Sequence, residues 1–132
     1  IEGLKDGTID VIVSNHVARH SEEKDLEFAY ADFGALGIQT AFRQALSALK
    51  GHLSLAEIVS KFSAHPTLLL GSDPLHLRAG APANLTLFTP DGESEFTATE
   101  LKGKTNNSPL IGKILPGAII GVVNNGKAYW NN

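Results

Sequence analysis

Residues 9–14 constrain the fold more than any other part of this chain. They read Ile-Asp-Val-Ile-Val-Ser, an almost continuously apolar run rich in β-branched residues. A run of this kind is typical of a strand that is buried on both faces in a parallel sheet. Such a strand needs hydrogen-bonded neighbours on both sides, and no similar run lies nearby in the sequence. We therefore expect the chain to need further strands, which argues against a self-sufficient binding module.

Helical patterns follow after a long polar loop. Apolar residues at helical spacing predict a helix that begins near Gly34 and ends at Gly51. Ser54-Leu55-Ala56-Glu57 is a capping-box pattern, which predicts the start of an amphipathic helix that ends near Ala64. Pro66 is suited to begin one further helical turn. The first part of the chain thus combines one strand with several helices.

The last third of the chain has the pattern of a small β module. Alternating or β-branched segments predict strands at 84–89, 94–97, 115–124 and 127–130. Pro90-Asp91-Gly92 predicts a turn between the first two strands. Asn125-Gly126 predicts a tight hairpin between the last two, because both residue types tolerate positive φ.

Composition and charge exclude several classes of function. The formal net charge is -3 and the pI is about 5.9, so nothing attracts phosphate backbones or anionic lipids. Cys is absent, which excludes disulfides and thiolate metal sites. No apolar run approaches the roughly 20 residues of a membrane span. We expect a cytoplasmic protein that binds neither nucleic acid nor membrane. The chain starts at Ile1 and contains no Met, so we expect the native start to lie elsewhere.

Several motifs occur in the order and spacing that dihydroorotases show. Residues 6–16 resemble the segment around the last barrel strand of that family, where the strand ends in Thr/Ser-Asp-His; here it ends in Ser14-Asn15-His16. Further segments that resemble the family lie at 22–24, 33–40, 83–88, 107–112 and 122–129. The chain as a whole resembles the C-terminal third of a dihydroorotase-type cyclic amidohydrolase. Hydantoinases and allantoinases share this architecture and stay open as alternatives.

The resemblance implies an α/β fold, a TIM-type (β/α)8 barrel with a small β-sandwich assembled from both chain ends. A full barrel needs about 250 residues. The chain would therefore supply the last strand and following helices of the barrel (residues 1–79) and the C-terminal half of the sandwich (residues 80–132). The remainder of the amidohydrolase chain is the expected partner, and we also expect a homo-oligomer.

The resemblance also implies the chemistry. In active members, carbamoyl-aspartate and dihydroorotate are interconverted at a zinc centre in pyrimidine biosynthesis. A carboxylate at the end of strand eight binds the zinc and shuttles a proton. Asn15 stands at that position, and an amide has no acid-base function near neutral pH. The family's other metal ligands lie on earlier strands, so we expect no metal site or cofactor in this chain and little or no activity.

Three further positions map onto substrate-contacting parts of the family. Arg19 stands where the family has a substrate-binding His; it could pair with a substrate carboxylate, or lie on the surface of a mobile loop. The backbone of Phe33 and Gly34 maps to the loop that touches the substrate ring. His16 is either a ligand or orienter at the barrel mouth or a residue that hydrogen-bonds locally, and Asn15 beside it favours the local role.

Three hypotheses of function follow. The first is a non-catalytic dihydroorotase-like protein that serves as a structural partner, for example of aspartate carbamoyltransferase. The second is an active zinc amidohydrolase whose proton shuttle has moved and whose other ligands lie upstream. The third, a self-sufficient β-rich binding module, conflicts with the apolar run at residues 9–14.

Overall fold

The computed structural model describes residues 1–73 and 76–131. Short helices come first, and a three-stranded antiparallel sheet follows whose strands lie side by side in chain order. The helices are α1 (Glu2–Lys5), α2 (Ser21–Lys24), α3 (Ala41–Leu49), α4 (Leu55–Phe62) and α5 (Ala64–Leu69). The strands are β1 (Leu85–Phe96), β2 (Lys113–Asn124) and β3 (Lys127–Trp130), with a 3-10 turn at Ala98–Glu100. Within the described ranges, no helix has the length and apolar content needed to cross a membrane.

Residues 9–14 do not form the predicted strand. The backbone N–H of Ile12 donates to the carbonyl of Lys61 at 3.1 Å, and Lys61 Nζ donates to the carbonyl of Ile9 at 2.8 Å. Val13 is 76% exposed. The prediction is wrong for this chain because a strand requires a hydrogen-bonded neighbour, and the sheet of the described residues consists only of β1, β2 and β3.

Helix α3 begins seven residues later than predicted, at Ala41 instead of Gly34. Gly34 has a φ of +132°, which a helix does not accommodate. The carbonyl of Gly37 accepts hydrogen bonds from the N–H groups of Thr40 and Ala41, so the first helical turn starts there. The predicted end is confirmed, because the helix stops at Leu49 and Gly51 adopts a φ of +82°.

The core lies between α3 and α4 and extends to the sheet. Its buried centre consists of apolar side chains from both helices: Ala45, Leu46, Leu49 and Ile58. The ring of Phe42 packs edge-on against Phe62 of α4, with centroids 5.7 Å apart, and against Phe88 of β1, at 4.7 Å. One apolar face of α3 therefore holds both the neighbouring helix and the sheet.

The capping box at the start of α4 is confirmed. Ser54 Oγ accepts from the backbone N–H of Glu57 at 3.3 Å, and the carboxylate of Glu57 accepts from the backbone N–H of Ser54 at 2.7 Å. These two bonds satisfy donors that the helix itself leaves free. Helix α5 starts at Ala64, slightly before the predicted Pro66.

The β module has one long strand where two were predicted. Both halves of β1 pair with β2, and the register shifts between Thr89 and Glu93. The predicted turn at residues 90–92 is therefore an irregularity within β1. The hairpin between β2 and β3 is confirmed, with positive φ at Asn125 and Gly126. The division at residue 80 stays a prediction.

An arginine of α3 joins the helix to the sheet. The side chain of Arg43 is only 5% exposed. Its Nη2 donates to the carbonyl of Leu115 at 2.7 Å and to the carbonyl and hydroxyl of Ser94 at 3.0 and 2.8 Å. Its Nε donates to the carbonyl of Pro116 at 3.1 Å. The guanidinium thus bridges β1 and β2 from the helix that follows the candidate site.

Candidate functional site

The predicted site residues lie on two segments, residues 14–20 and residues 33–38, that run side by side. The backbone N–H of Val17 donates to the carbonyl of Ala35 at 3.0 Å. His16 Nδ1 accepts from the N–H groups of Gly37 and Ile38 at 3.2 and 3.4 Å. Because Nδ1 accepts, the proton of neutral His16 is assigned to Nε2. The local, structural interpretation of His16 agrees with these contacts.

Two glycines allow the segments to approach this closely. A Cβ atom on Gly34 would lie 2.8 Å from Val17 Cγ1, and a Cβ atom on Gly37 would lie 2.7 Å from the carbonyl oxygen of Ser14. Both distances are shorter than van der Waals contact, so a side chain at either position would push the segments apart. Gly37 serves here in a backbone-to-backbone contact ahead of α3.

Asn15 lies at the exposed end of the first segment. Its φ is +44°, in the left-handed region that Asn and Asp adopt more easily than other side chains. Either residue type is therefore compatible with this backbone. The difference between them is chemical, because only a carboxylate can bind a metal as an anion or exchange a proton near neutral pH.

Arg19 is held by Phe33 of the second segment and by two carboxylates that lie outside both segments. Its Nη1 lies 3.0 Å from Asp32 Oδ2 and 3.4 Å from Glu23 Oε1. Its Nε donates to the carbonyl of Phe33 at 3.0 Å. A hydrogen bond from the His20 backbone N–H, with the nearby Arg19, lowers the pKa of Glu23. An incoming carboxylate would have to compete with two carboxylates that already neutralise the guanidinium.

A cavity of about 460 Å³ lies beside these segments. Residues 102–105 and Gln39, which precedes α3, also line it. Its ionisable lining is basic and consists of His16, Arg19, His20, Lys102 and Lys104. The cavity therefore favours anionic over cationic small molecules.

The described residues do not fit a metal ion. Across residues 1–73 and 76–131, no group of three or more His, Asp or Glu side chains could hold one. Asn15 offers a neutral oxygen, and His16 Nδ1 is engaged by two backbone N–H groups. A zinc centre would need ligands from outside this chain.

Curated relatives match the chain along most of its length, although no protein-family model matches it. It is 42% identical over 119 residues to the dihydroorotase of Ruminiclostridium cellulolyticum, covering 89% of this chain and 28% of that protein. It is 36% identical over 133 residues to the dihydroorotase of Clostridioides difficile, covering 99% and 31%. This chain is a dihydroorotase relative. The resemblance read from its motifs is confirmed, and the chain spans about 30% of the length of these relatives.

Solved structures agree with this relationship. The dihydroorotase relative superimposes on the L-hydantoinase (dihydropyrimidinase) from Arthrobacter aurescens with a TM-score of 0.82 and 28% identity, over 96% of this chain and 30% of that chain. The dihydropyrimidinase from Brevibacillus agri gives 0.80 at 20% identity, over 96% and 29%. The inactive dihydroorotase-like domain of the Chaetomium thermophilum CAD-like multifunctional protein gives 0.50 at 22% identity, over 74% and 26%. The chain thus has the fold of about 30% of a hydantoinase chain.

All four predicted site residues of the dihydroorotase relative lie on these two segments. The roles of Asn15, Arg19, Phe33 and Gly34 stay predictions. Motif reasoning did not identify Asp32 as a partner of Arg19, nor Asn107, which contacts both segments. Asn107 is 88 residues from Arg19 and 73 from Gly34, so no local pattern could have indicated these contacts.

Proposed function

We propose that this dihydroorotase relative forms the end of a (β/α)8 amidohydrolase barrel and part of its small β-sandwich. We further propose that the resulting protein is impaired or inactive in interconverting carbamoyl-aspartate and dihydroorotate. The observation that carries the proposal is Asn15, which is exposed near the start of the first site segment. The resemblance implies a metal-binding, proton-shuttling Asp at this position, and an amide can do neither task near neutral pH.

The rest of the barrel is the partner that this proposal requires. Residues 9–14 expose apolar side chains, with Ile9 at 48% and Val13 at 76%. Apolar surface of this kind is stabilised when neighbouring strands cover it. The ligands of a zinc ion would come from those strands. Zinc would lower the pKa of a bound water, and residues 1–73 and 76–131 supply no ligand set for it.

The environment of Arg19 supports impaired substrate binding. Its guanidinium contacts Asp32, Glu23 and the carbonyl of Phe33. The carbonyl of Phe33 belongs to the backbone that is proposed to face the substrate ring, so Arg19 competes with the substrate for it. We expect a protein with Asn15 in place of the Asp and Arg19 in place of the His to act as a structural partner of another enzyme. Aspartate carbamoyltransferase is the partner that we propose.

The alternative is an active zinc amidohydrolase of the dihydroorotase, hydantoinase or allantoinase type. The observation that favours it is the 42% identity to a protein named dihydroorotase. In that case another carboxylate has taken over the proton shuttle. Asp32 is the candidate, because it directly precedes the 33–38 segment and its carboxylate lies 3.0 Å from Arg19.

A chimera distinguishes the two. These 132 residues replace the matching 28% of the Ruminiclostridium cellulolyticum dihydroorotase, and dihydroorotate hydrolysis and bound zinc are measured. We expect the Asn15 chimera to be about 10²- to 10⁴-fold slower than the parent enzyme, the usual effect of losing a general base. The substitution Asn15→Asp should recover most of the lost rate.

The control is Asn106→Asp, which makes the same change of charge at an exposed position. It should leave the rate of the chimera unchanged. A chimera that hydrolyses dihydroorotate as fast as its parent while Asn15 is in place would refute the proposal and establish the active alternative. Subsequent loss of activity on Asp32→Asn would then identify the relocated shuttle.

A further inference from the structure

Asn107 contacts both segments of the candidate site. Its Oδ1 accepts from the backbone N–H of Arg19 at 3.5 Å and from the hydroxyl of Thr105 at 3.2 Å. Its Nδ2 donates to the carbonyl of Gly34 at 3.4 Å. Its own backbone carbonyl accepts from the N–H of Leu36 at 3.1 Å. The half-buried side chain of Asn107 therefore accepts a hydrogen bond from the 14–20 segment and donates one to the 33–38 segment.

The chemistry of an amide suits this place. The contact to Arg19 needs an acceptor and the contact to Gly34 needs a donor, and Asn offers both on one short side chain. Asp would keep the acceptor and lose the donor, and Ala would lose both. The two side-chain contacts to the segments are long for hydrogen bonds, so each is weak by itself.

We propose that Asn107 is a positioning residue that sets the spacing between the two segments, and so places Arg19 against the backbone of Phe33 and Gly34. The contacts reach Arg19 and Gly34 directly, which are two of the four predicted site residues. The consequence for substrate binding rests on the proposed function. The spacing itself rests only on the contacts of this chain.

Amide hydrogen exchange in this chain tests the spacing without any activity. For Asn107→Ala we expect the N–H of Arg19 to exchange about threefold to tenfold faster, the effect of losing about 0.7 to 1.4 kcal/mol of local protection. The N–H of Val17 should also exchange faster, because its acceptor Ala35 lies on the second segment. The N–H of Ile58, which donates to Ser54 at the start of α4, should keep its rate.

Two variants make the result specific. Asn106→Ala removes an exposed neighbouring amide and should leave the exchange of Arg19 unchanged. Asn107→Asp keeps the acceptor, so Arg19 should stay protected while Val17 exchanges faster. An unchanged rate at Arg19 in Asn107→Ala, or an equal increase at Arg19 and Ile58, would overturn the proposal.

The chimera carrying Asn15→Asp tests the consequence for binding. Asn107→Ala should raise the KM for dihydroorotate about tenfold and change kcat much less, because Asn107 holds the carbonyl of Gly34, whose backbone is proposed to face the substrate ring. A fall in kcat with an unchanged KM would overturn the positioning role. A chimera that stays inactive although it carries Asn15→Asp, and in which the exchange of Arg19 still responds to Asn107→Ala, would refute Asn15 as the cause of the impairment and support the role of Asn107 in spacing.

Discussion

Replacing Arg43 by alanine should destabilise the chain more than any surface substitution, because this side chain joins α3 to two strands. Its guanidinium donates hydrogen bonds to the carbonyls of Ser94, Leu115 and Pro116 and to the hydroxyl of Ser94. It is 5% exposed. No carboxylate contacts Arg43 within 4.0 Å among the described residues, so neutral acceptors solvate its charge.

The magnitude follows from two opposing effects. A hydrogen bond from a charged donor contributes about 1.5–3 kcal/mol, and buried carbonyls left without a donor add a cost of similar size. Removing the buried charge recovers part of its desolvation cost, and the contacts are not additive. We expect Arg43→Ala to lower the free energy of unfolding by about 3 kcal/mol.

Urea denaturation followed by circular dichroism measures this change. With a slope of about 1.5 kcal/mol per molar urea, the midpoint should fall by about 2 M. Arg43→Lys keeps the charge but has no planar fork to span three carbonyls, so its midpoint should fall by about half as much. Arg78→Ala, at an exposed position, should change the free energy by less than about 0.5 kcal/mol. A midpoint for Arg43→Ala equal to that of Arg78→Ala would refute the reasoning.

Two further predictions concern the close backbone contact and the capping box. Gly37→Ala places a Cβ atom 2.7 Å from the carbonyl oxygen of Ser14 and should lower the free energy of unfolding by about 1–3 kcal/mol. The control is Gly103→Ala, whose Cβ atom would lie 3.9 Å from its nearest neighbour and should change the free energy of unfolding little. Equal urea midpoints for the two variants would contradict this prediction. Hydrogen bonds from Ser54 lower the pKa of Glu57 below 4.5, so its contribution to stability is complete above pH 4.5 and is lost as the pH falls through the lowered value. Urea midpoints between pH 6 and pH 3 should therefore fall more for the original chain than for Glu57→Gln, and identical pH profiles would contradict the prediction.

Local signals predicted the elements whose stabilising partners lie a few residues away. The capping box of Ser54 and Glu57 closes over three residues, and the Asn125-Gly126 hairpin depends on the φ preferences of those two residues. The apolar residues whose spacing predicted α3 include Leu46 and Leu49, which lie in the buried core. Dihydroorotase motifs likewise identified the relatives, because the order of the motifs along the chain is itself a property of the sequence.

Elements that depend on distant partners were predicted less well. The strand expected at residues 9–14 is absent, because its pattern specifies burial but supplies no neighbour to pair with. The two short strands predicted around residues 90–92 are one strand, since both halves pair with β2. Helix α3 starts at Ala41, later than predicted, because Gly34 and Gly37 pack against the 14–20 segment instead.

The same distinction holds at the candidate site. The identity of Asn15, and with it the missing carboxylate, is a matter of chemistry at one position and could be read directly from the sequence. That Arg19 is neutralised by Asp32, that Asn107 contacts both segments and that Arg43 is buried against the sheet depend on residues 13 to 88 positions apart. The tertiary structure decides such contacts. The sequence gives the charge and the hydrogen-bonding groups of each side chain, and these are the same whether the side chain faces solvent or a distant residue.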